Sequence, residues 1–375
     1  MTKTRKTEAS GSRREFLRGG AVAAAAGAAT LAMPNVARAQ DAVTFKFQST
    51  WPAKDIFHEY AADFVARVNE MAGGRLKIEL LAAGSVAKAF EVQDAVIAGT
   101  LDGGHGVTAY WYGKHKAFSL FGTPPAWGWR ANQMLGWVKY GGGQALYDEL
   151  VQQVLGLNLV GFLTGPMPTQ PLGWFKKEVT SADDLKGVKY RTVGLSADLF
   201  KEMGAAVTIM GGGEIVPAMD RGLLDAAEFN NPSSDKLLGF ADVSKDYMLQ
   251  SYHQSAESFE IVFNKAKYDA LAPELQAVIK YAAEASSADM SWKAMDRYST
   301  DLAALKEAGV KVHKTPDSVL QAQLAAWDKV LAAQSAEPFF AKVVESQKAW
   351  VKRVVGAQFE LEVEQNMAFE HFFKA

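Results

Sequence analysis

The chain has 375 residues, a formal net charge of −2 and no cysteine. Without cysteine there can be no disulfide framework, thiolate zinc, iron–sulfur cluster or cysteine nucleophile. No Lys/Arg cluster follows the N-terminal segment, which argues against nucleic acid as a partner.

Residues 1–39 read as an export address. Ser12-Arg13-Arg14-Glu15-Phe16-Leu17 is a twin-arginine element, an Ala-rich apolar stretch runs from Ala21 to Met33, and Ala37-Arg38-Ala39 has the small-x-small pattern cut by signal peptidase. The apolar stretch is too short and too rich in alanine to read as a membrane anchor. The expected product starts near Gln40 in the periplasm. Seven basic and two acidic residues leave with the segment, so the formal charge becomes −7. The remainder has a length suited to about two domains.

Val43-Thr44-Phe45-Lys46-Phe47 alternates with period two and predicts a strand. A helix follows with Ile56, Phe57, Tyr60, Phe64 and Val68 on one face, ended by Gly73-Gly74, before a second strand over Arg75–Leu80. This βαβ unit predicts a parallel sheet covered by helices. Two later pieces share one grammar. Leu80-Leu81, Gly84 and a helix near Phe90–Ala98 lead to Gly99-Thr100-Leu101-Asp102 and a strand. Val207-Thr208-Ile209, Gly211-Gly212-Gly213 and a helix near Glu214–Asp220 lead to Gly222-Leu223-Leu224-Asp225 and another. Two lobes built alike suggest a clamshell with ligand between the carboxyl ends of two sheets.

Thr164-Gly165-Pro166-Met167-Pro168 is too rich in Pro and Gly for helix or strand and is read as the join between lobes, with a return crossing near Gln250–Phe259. The remainder reads as helical. From Glu337 to Phe373 it carries Val343, Val344, Val351, Val354, Leu361, Met367, Phe369 and Phe372, a surface suited to packing across lobes or against another subunit.

Enzyme signatures are missing: the six histidines make no HExxH and no i,i+4 ligand pair, and no GxSxG elbow, Walker loop or dinucleotide GxGxxG is present. Gly211-Gly212-Gly213 could hold an anion on exposed amides, but reads first as a plain tight turn. Arg191, at the carboxyl end of a predicted strand, can grip a carboxylate through two parallel hydrogen bonds, although a surface ion pair fits its position equally. Glu228, at the end of the matching strand, reads equally as a water-facing acid. If it lines the cleft, a carboxylate ligand ~4 Å away would be repelled by about 4 kcal/mol unless a cation intervened. Gln170 after the join and Gln254 near the return crossing can reach the same mouth. With a main-chain carbonyl they make an all-oxygen set suited to a hard cation.

At these residues the chain resembles the extracytoplasmic solute-binding proteins of TRAP transporters, the DctP-like superfamily. The resemblance rests on Gln170-Pro171-Leu172-Gly173-Trp174-Phe175, Leu185-Lys186-Gly187-Val188-Lys189-Tyr190-Arg191, Leu224-Asp225-Ala226-Ala227-Glu228-Phe229, Lys236-Leu237-Leu238-Gly239-Phe240 and Phe263-Asn264-Lys265, in order over the mature length. It is strongest to the branch that binds 2-oxo and 2-hydroxy monocarboxylates. The resemblance implies an α/β, two-lobed periplasmic clamshell with a long C-terminal helical segment, and no catalysis. It implies that Arg191 clamps the substrate carboxylate, with Gln170, Glu228 and Tyr110 on the substrate side. A metal would bridge substrate to Gln170, Glu228, the Phe229 carbonyl and Gln254. Phe229 and Gln254 resemble relatives that bind lactate with calcium more than those that bind 2-oxo acids with sodium. A TRAP membrane permease and a homodimer through the C-terminal helices are the implied partners. Trp51 and Trp174 are expected to wall the pocket.

The expected organisation is lobe 1 over 40–165 plus 255–300, lobe 2 over 166–254, and C-terminal helices over 301–375. The chief alternative is an exported oxidoreductase with a bound organic cofactor.

Overall fold

The alternation over Val43–Phe47 forms a strand. The computed structural model describes residues 42–374, and in it β1 (Val43–Ser49) turns Phe45 and Phe47 into the core. The twin-arginine element and cleavage site lie outside the described residues. Asp55 caps the helix Ile56–Met71, its side chain accepting from Phe57 N at 3.1 Å, and the helix buries Ile56, Phe57, Tyr60, Phe64 and Val68. Gly73 and Gly74, at φ 57° and 79°, reverse the chain into β2 (Leu76–Leu81), parallel to β1.

β3 (Gly103–Gly106) pairs with the other edge of β1, and β4 (Leu159–Met167) completes the first run of strands. The chain then crosses over and builds β5 (Gly173–Phe175), β6 (Lys189–Arg191), β7 (Ala206–Thr208), β8 (Ala226–Ala227) and β9 (Asp246–Leu249). It returns as β10 (Glu257–Asn264), and β11 (Lys311–Lys314) follows the long helix Pro273–Glu307. One sheet has the order β2-β1-β3-β10-β4 and the other β11-β9-β5-β8-β6-β7. Both are mixed: β10 runs antiparallel to β3 and β4, and β5 antiparallel to β8 and β9. The fold is the α/β two-lobed clamshell, with a long C-terminal helical arm.

Two expectations about the connections are corrected. Thr164–Met167 does not leave the sheet; β4 continues through Gly165 and Pro166 to Met167. Proline survives there because β4 is an edge strand, where a missing N–H breaks no ladder. The crossing begins beyond it, and Gln170 N donates to Gln254 O at 3.1 Å, pinning the outward and return crossings together. The segment after residue 300 is also not wholly helical. Gly309, at φ 82°, ends the long helix, and β11 joins the second sheet parallel to β9. Residue 300 falls inside the long helix, which packs on both lobes: Lys293 pairs with Glu59 at 3.0 Å, and Asp301 accepts from Lys236 at 2.8 Å.

The helix Pro338–Leu361 returns to the first lobe. It buries Val343 and Val344, Gln347 Nε2 donates to Leu120 O at 2.6 Å, and Trp350 lies over Gly136 and Gly141. Beyond it, Leu361, Val363, Met367, Phe369, Phe372 and Phe373 are exposed.

Glycine is a poor strand former, yet β3 reads Gly-Gly-His-Gly in the middle of a sheet. A Cβ on Gly103 would stand 2.7 Å from the Phe47 ring, 2.7 Å from Val262 O and 2.8 Å from the Phe263 ring. Packing therefore overrides propensity, because only glycine lets these rings close over the strand. Gly103→Ala should cost about 1–3 kcal/mol in urea denaturation; unchanged stability would mean that β3 can shift to admit the methyl.

Candidate functional site

Parallel pairing of β6 with β8 brings two charges together. Arg191 pairs with Ala227, so the next residue, Glu228, emerges beside Arg191 at the carboxyl ends of both strands, and Glu228 N donates to Arg191 O at 3.3 Å. Arg191 Nη1 donates to Glu228 Oε1 at 3.0 Å, with both side chains 1% exposed. The other edge of the guanidinium, Nε and Nη2, donates to Met210 O at 3.0 and 2.8 Å. The Phe229 ring lies under the guanidinium, its centroid 5.6 Å from Cζ. A Cβ on Gly212 would collide with this ring at 2.3 Å, so the triple glycine serves to let Phe229 pack. Glu214 Oε2 accepts from Gly211 N at 3.0 Å, so part of that turn is already capped.

A cavity of about 10 Å³ lies between the lobes. Trp51, Val107, Tyr110 and Thr123 face it from the first lobe, and Arg191, Val193, Phe229 and Asn230 from the second. Gln170, Gln254 and Glu257 face it from the crossings. Of the expected site residues, Arg191, Gln170, Tyr110, Phe229 and Gln254 surround this one space. Glu228 is not among the residues that line it, and reaches the site through its contact with Arg191. Trp174 is elsewhere, which corrects its expected place in the wall: it stacks on Tyr247 with ring centroids 4.2 Å apart, and its Nε1 donates to Asp235 at 2.9 Å. Trp51 is fixed by a hydrogen bond from its Nε1 to His105 Nδ1 at 2.9 Å. Burial pushes the pKa of His105 down to about 3, so the ring is a neutral acceptor.

The residue that the sequence reading missed is Glu257. It is 1% exposed, and its Oε2 accepts from Gln170 Nε2 at 2.8 Å. Gln170 Nε2 also donates to Asn230 Oδ1 at 3.3 Å. The sequence offers only two acids, Glu257 and Glu260, leading into the apolar run Ile261-Val262-Phe263; the structure adds that all eight residues of this strand are buried. Glu260 is spoken for, since Trp111 Nε1 donates to it at 2.6 Å and Tyr147 also donates.

Several buried oxygens have no partner among the described residues: Gln170 Oε1, Glu228 Oε2, Gln254 Oε1 and Glu257 Oε1. A buried polar atom without a partner is costly, and such atoms mark places where something else is bound. Desolvation pushes Glu228 up to about 7, with Arg191 pulling the other way, and drives Glu257 well above the usual carboxyl range. A bound cation would reverse both trends. Among the described residues no group of three or more His, Asp or Glu is arranged for a metal. The donors here are instead mainly amide and carboxylate oxygens, which suit a hard cation and not zinc.

The lobes meet around this space. Tyr112 Oη donates to Asp198 at 2.6 Å, Lys116 pairs with Asp198 at 3.3 Å, and Leu195 N donates to Ser119 Oγ at 3.2 Å. On the far side Ser234 Oγ donates to Asp55 at 2.6 Å.

Residues 47–337 match the family model described as bacterial extracellular solute-binding protein, family 7. The chain belongs to this family. Its members, the DctP-type proteins of TRAP transporters, are transport receptors and not enzymes, so the oxidoreductase alternative is set aside. A monocarboxylate 2-oxoacid-binding periplasmic protein from a Nostoc species is 32% identical over 314 residues, 83% of this chain and 85% of the relative. TRAP periplasmic solute-binding proteins from Pseudoalteromonas atlantica, with bound sodium and pyruvate, and Colwellia psychrerythraea, with bound calcium and pyruvate, are each 29% identical. Both comparisons cover 86% of this chain and 100% of the other, with TM-scores of 0.78 and 0.77. Among the described residues no helix is long and apolar enough to cross a membrane.

Behind the site, Asp235 holds the second lobe together, accepting from Trp174 Nε1, from Tyr247 Oη at 2.8 Å and from Asn230 N at 3.4 Å. Burial nevertheless raises its pKa from 3.8 to about 7. A raised acid binds its proton more tightly when folded, so its stabilising contribution is full below about pH 3.8 and fades as pH rises to about 7. Asp235→Asn, neutral throughout, should gain stability relative to the unsubstituted protein across that window in urea denaturation. A constant difference between the two would mean that Asp235 stays ionised.

Proposed function

We propose that this receptor captures a small 2-oxo or 2-hydroxy monocarboxylate together with a cation and presents it to a TRAP permease in the membrane. The observation that carries the reading is the buried pair of Arg191 and Glu228. Among the residues lining the cavity Arg191 is the one cation, which suits an acid with one carboxylate. Glu228 now occupies the guanidinium edge that a substrate carboxylate needs. When the substrate takes that edge, Glu228 loses its counter-charge in a buried setting, and an uncompensated buried charge costs several kcal/mol. A cation held by Glu228, Gln170, Gln254 and the Phe229 carbonyl offsets that loss and binds the 2-oxygen of the substrate at the same time. The short, largely apolar walls of Trp51, Val107, Tyr110, Val193 and Phe229 favour a ligand with a small side chain.

Calcium is assigned ahead of sodium, and a lactate-like or pyruvate-like acid ahead of longer ones. Export through the twin-arginine route, with cleavage near Ala39, belongs to the same reading. The exposed apolar end of the C-terminal arm, from Phe359 to Phe373, is assigned to a contact with a second copy of the chain.

Arg191→Lys should weaken pyruvate or lactate binding by about tenfold or more in calorimetry, because a flexible point charge cannot replace the planar fork. Equal affinity would remove the clamp. Glu228→Gln should make acid binding less dependent on added cation, and chelator-treated protein that binds as tightly as untreated protein would dispose of the bridge. Deleting residues 362–375 should shift the species seen in native mass spectrometry from dimer to monomer. Unchanged mass distributions would place the contact elsewhere.

A further inference from the structure

We propose that Glu257 is a second carboxylate of the cation site and the residue that makes it select a divalent ion. The proposal rests on the cation-bridged reading above and deepens it. Glu257 opens β10 opposite Met167. Where the register with β4 shifts, Thr164–Met167 stands opposite Glu257–Phe259, so the extra residue lies in β4 and β10 runs on unbroken through Glu257. Two residues on, Phe259 packs edge-on against Trp51 at 5.9 Å, and Trp51 and Glu257 both line the cavity.

The two oxygens of Glu257 have different tasks. Oε2 accepts from the Gln170 amide nitrogen, and with Asn230 Oδ1 it consumes the donor side of that amide. The carbonyl oxygen of Gln170 is thereby turned away from protein partners and is left free, as is Glu257 Oε1. Both atoms are buried and belong to residues lining one space, beside an equally unpartnered Gln254 Oε1. Glu257 therefore orients one ligand and offers another.

Formal charge then decides the ion. Arg191 contributes one positive charge, and Glu228, Glu257 and the substrate carboxylate one negative charge each. The assembly is left two charges negative. A divalent cation neutralises it; a monovalent one leaves a buried net negative charge, which a low-dielectric site disfavours. With glutamate at one of these two positions only, a monovalent ion would suffice.

Glu257→Gln isolates the charge, because its carbonyl can still accept from Gln170. Binding of pyruvate and of lactate is measured by calorimetry in choline buffer with calcium chloride or sodium chloride added, alongside metal content by mass spectrometry and a thermal melt of the cation-free protein. The unsubstituted protein should prefer calcium, and Glu257→Gln should lower that preference by about tenfold or more, with sodium-supported binding retained or improved. An unchanged calcium-to-sodium ratio in Glu257→Gln overturns the proposal and leaves the cation bridge standing. Equal support by the two ions in the unsubstituted protein overturns it as well, and needs no variant to fold. Binding that persists in choline buffer with chelator sinks the bridge itself, and this assignment with it.

Discussion

One buried ion pair organises the site: a guanidinium and a carboxylate brought side by side by the parallel pairing of β6 and β8, at strand ends where a sheet opens toward its partner lobe. Buried pairs of this type contribute little net stability, because desolvation offsets most of the attraction. In the proposed function their value is as a balanced but exchangeable set of charges. Arg191 is also held by the Met210 carbonyl and by the face of Phe229. These contacts fix the plane of the fork, so if Arg191 binds the ligand as proposed, less side-chain entropy is lost on binding.

The scaffold explains how two sheets keep that pair at their seam. The chain passes between lobes at the crossing after β4, again before β10, and a third time along a helix of 35 residues, about 50 Å long. The first two crossings are tied by the Gln170–Gln254 backbone hydrogen bond, and both of these residues face the cavity. Any motion of one lobe against the other would pass through residues that line the cavity, so the proposed hinge closure would also arrange the polar oxygens.

Much of this was legible in the sequence, and what was not has physical causes. The repeated strand, glycine, helix, Gly-x-Leu-Asp grammar marks β2 to β3 and β7 to β8 because short connections and period-two alternation are local signals. Arg191, Glu228, Gln170 and Gln254 stand where strands and crossings end, which position alone suggests. Glu257 carried little signal because an acid in a strand ordinarily faces water, and the burial of all eight residues of β10 is a tertiary fact. Trp174 misled for the opposite reason: beside Gln170 in sequence, it lies one strand deeper and stacks on Tyr247. Pro166 suggested a break, yet an edge strand tolerates it, and edge position is a tertiary fact. β11 was lost inside a helical tail because four residues with modest alternation carry little signal.

The hydrogen bond between Trp51 and His105 has a further consequence. Histidine is the side chain that usually changes charge near neutrality. This one is buried between Trp51 and Phe259 and is kept uncharged far into the acid range. A protein working outside the cytoplasm meets swings in acidity that the cell interior does not. The aromatic wall of the cavity thus leans on an imidazole that does not change charge while the medium around it sours.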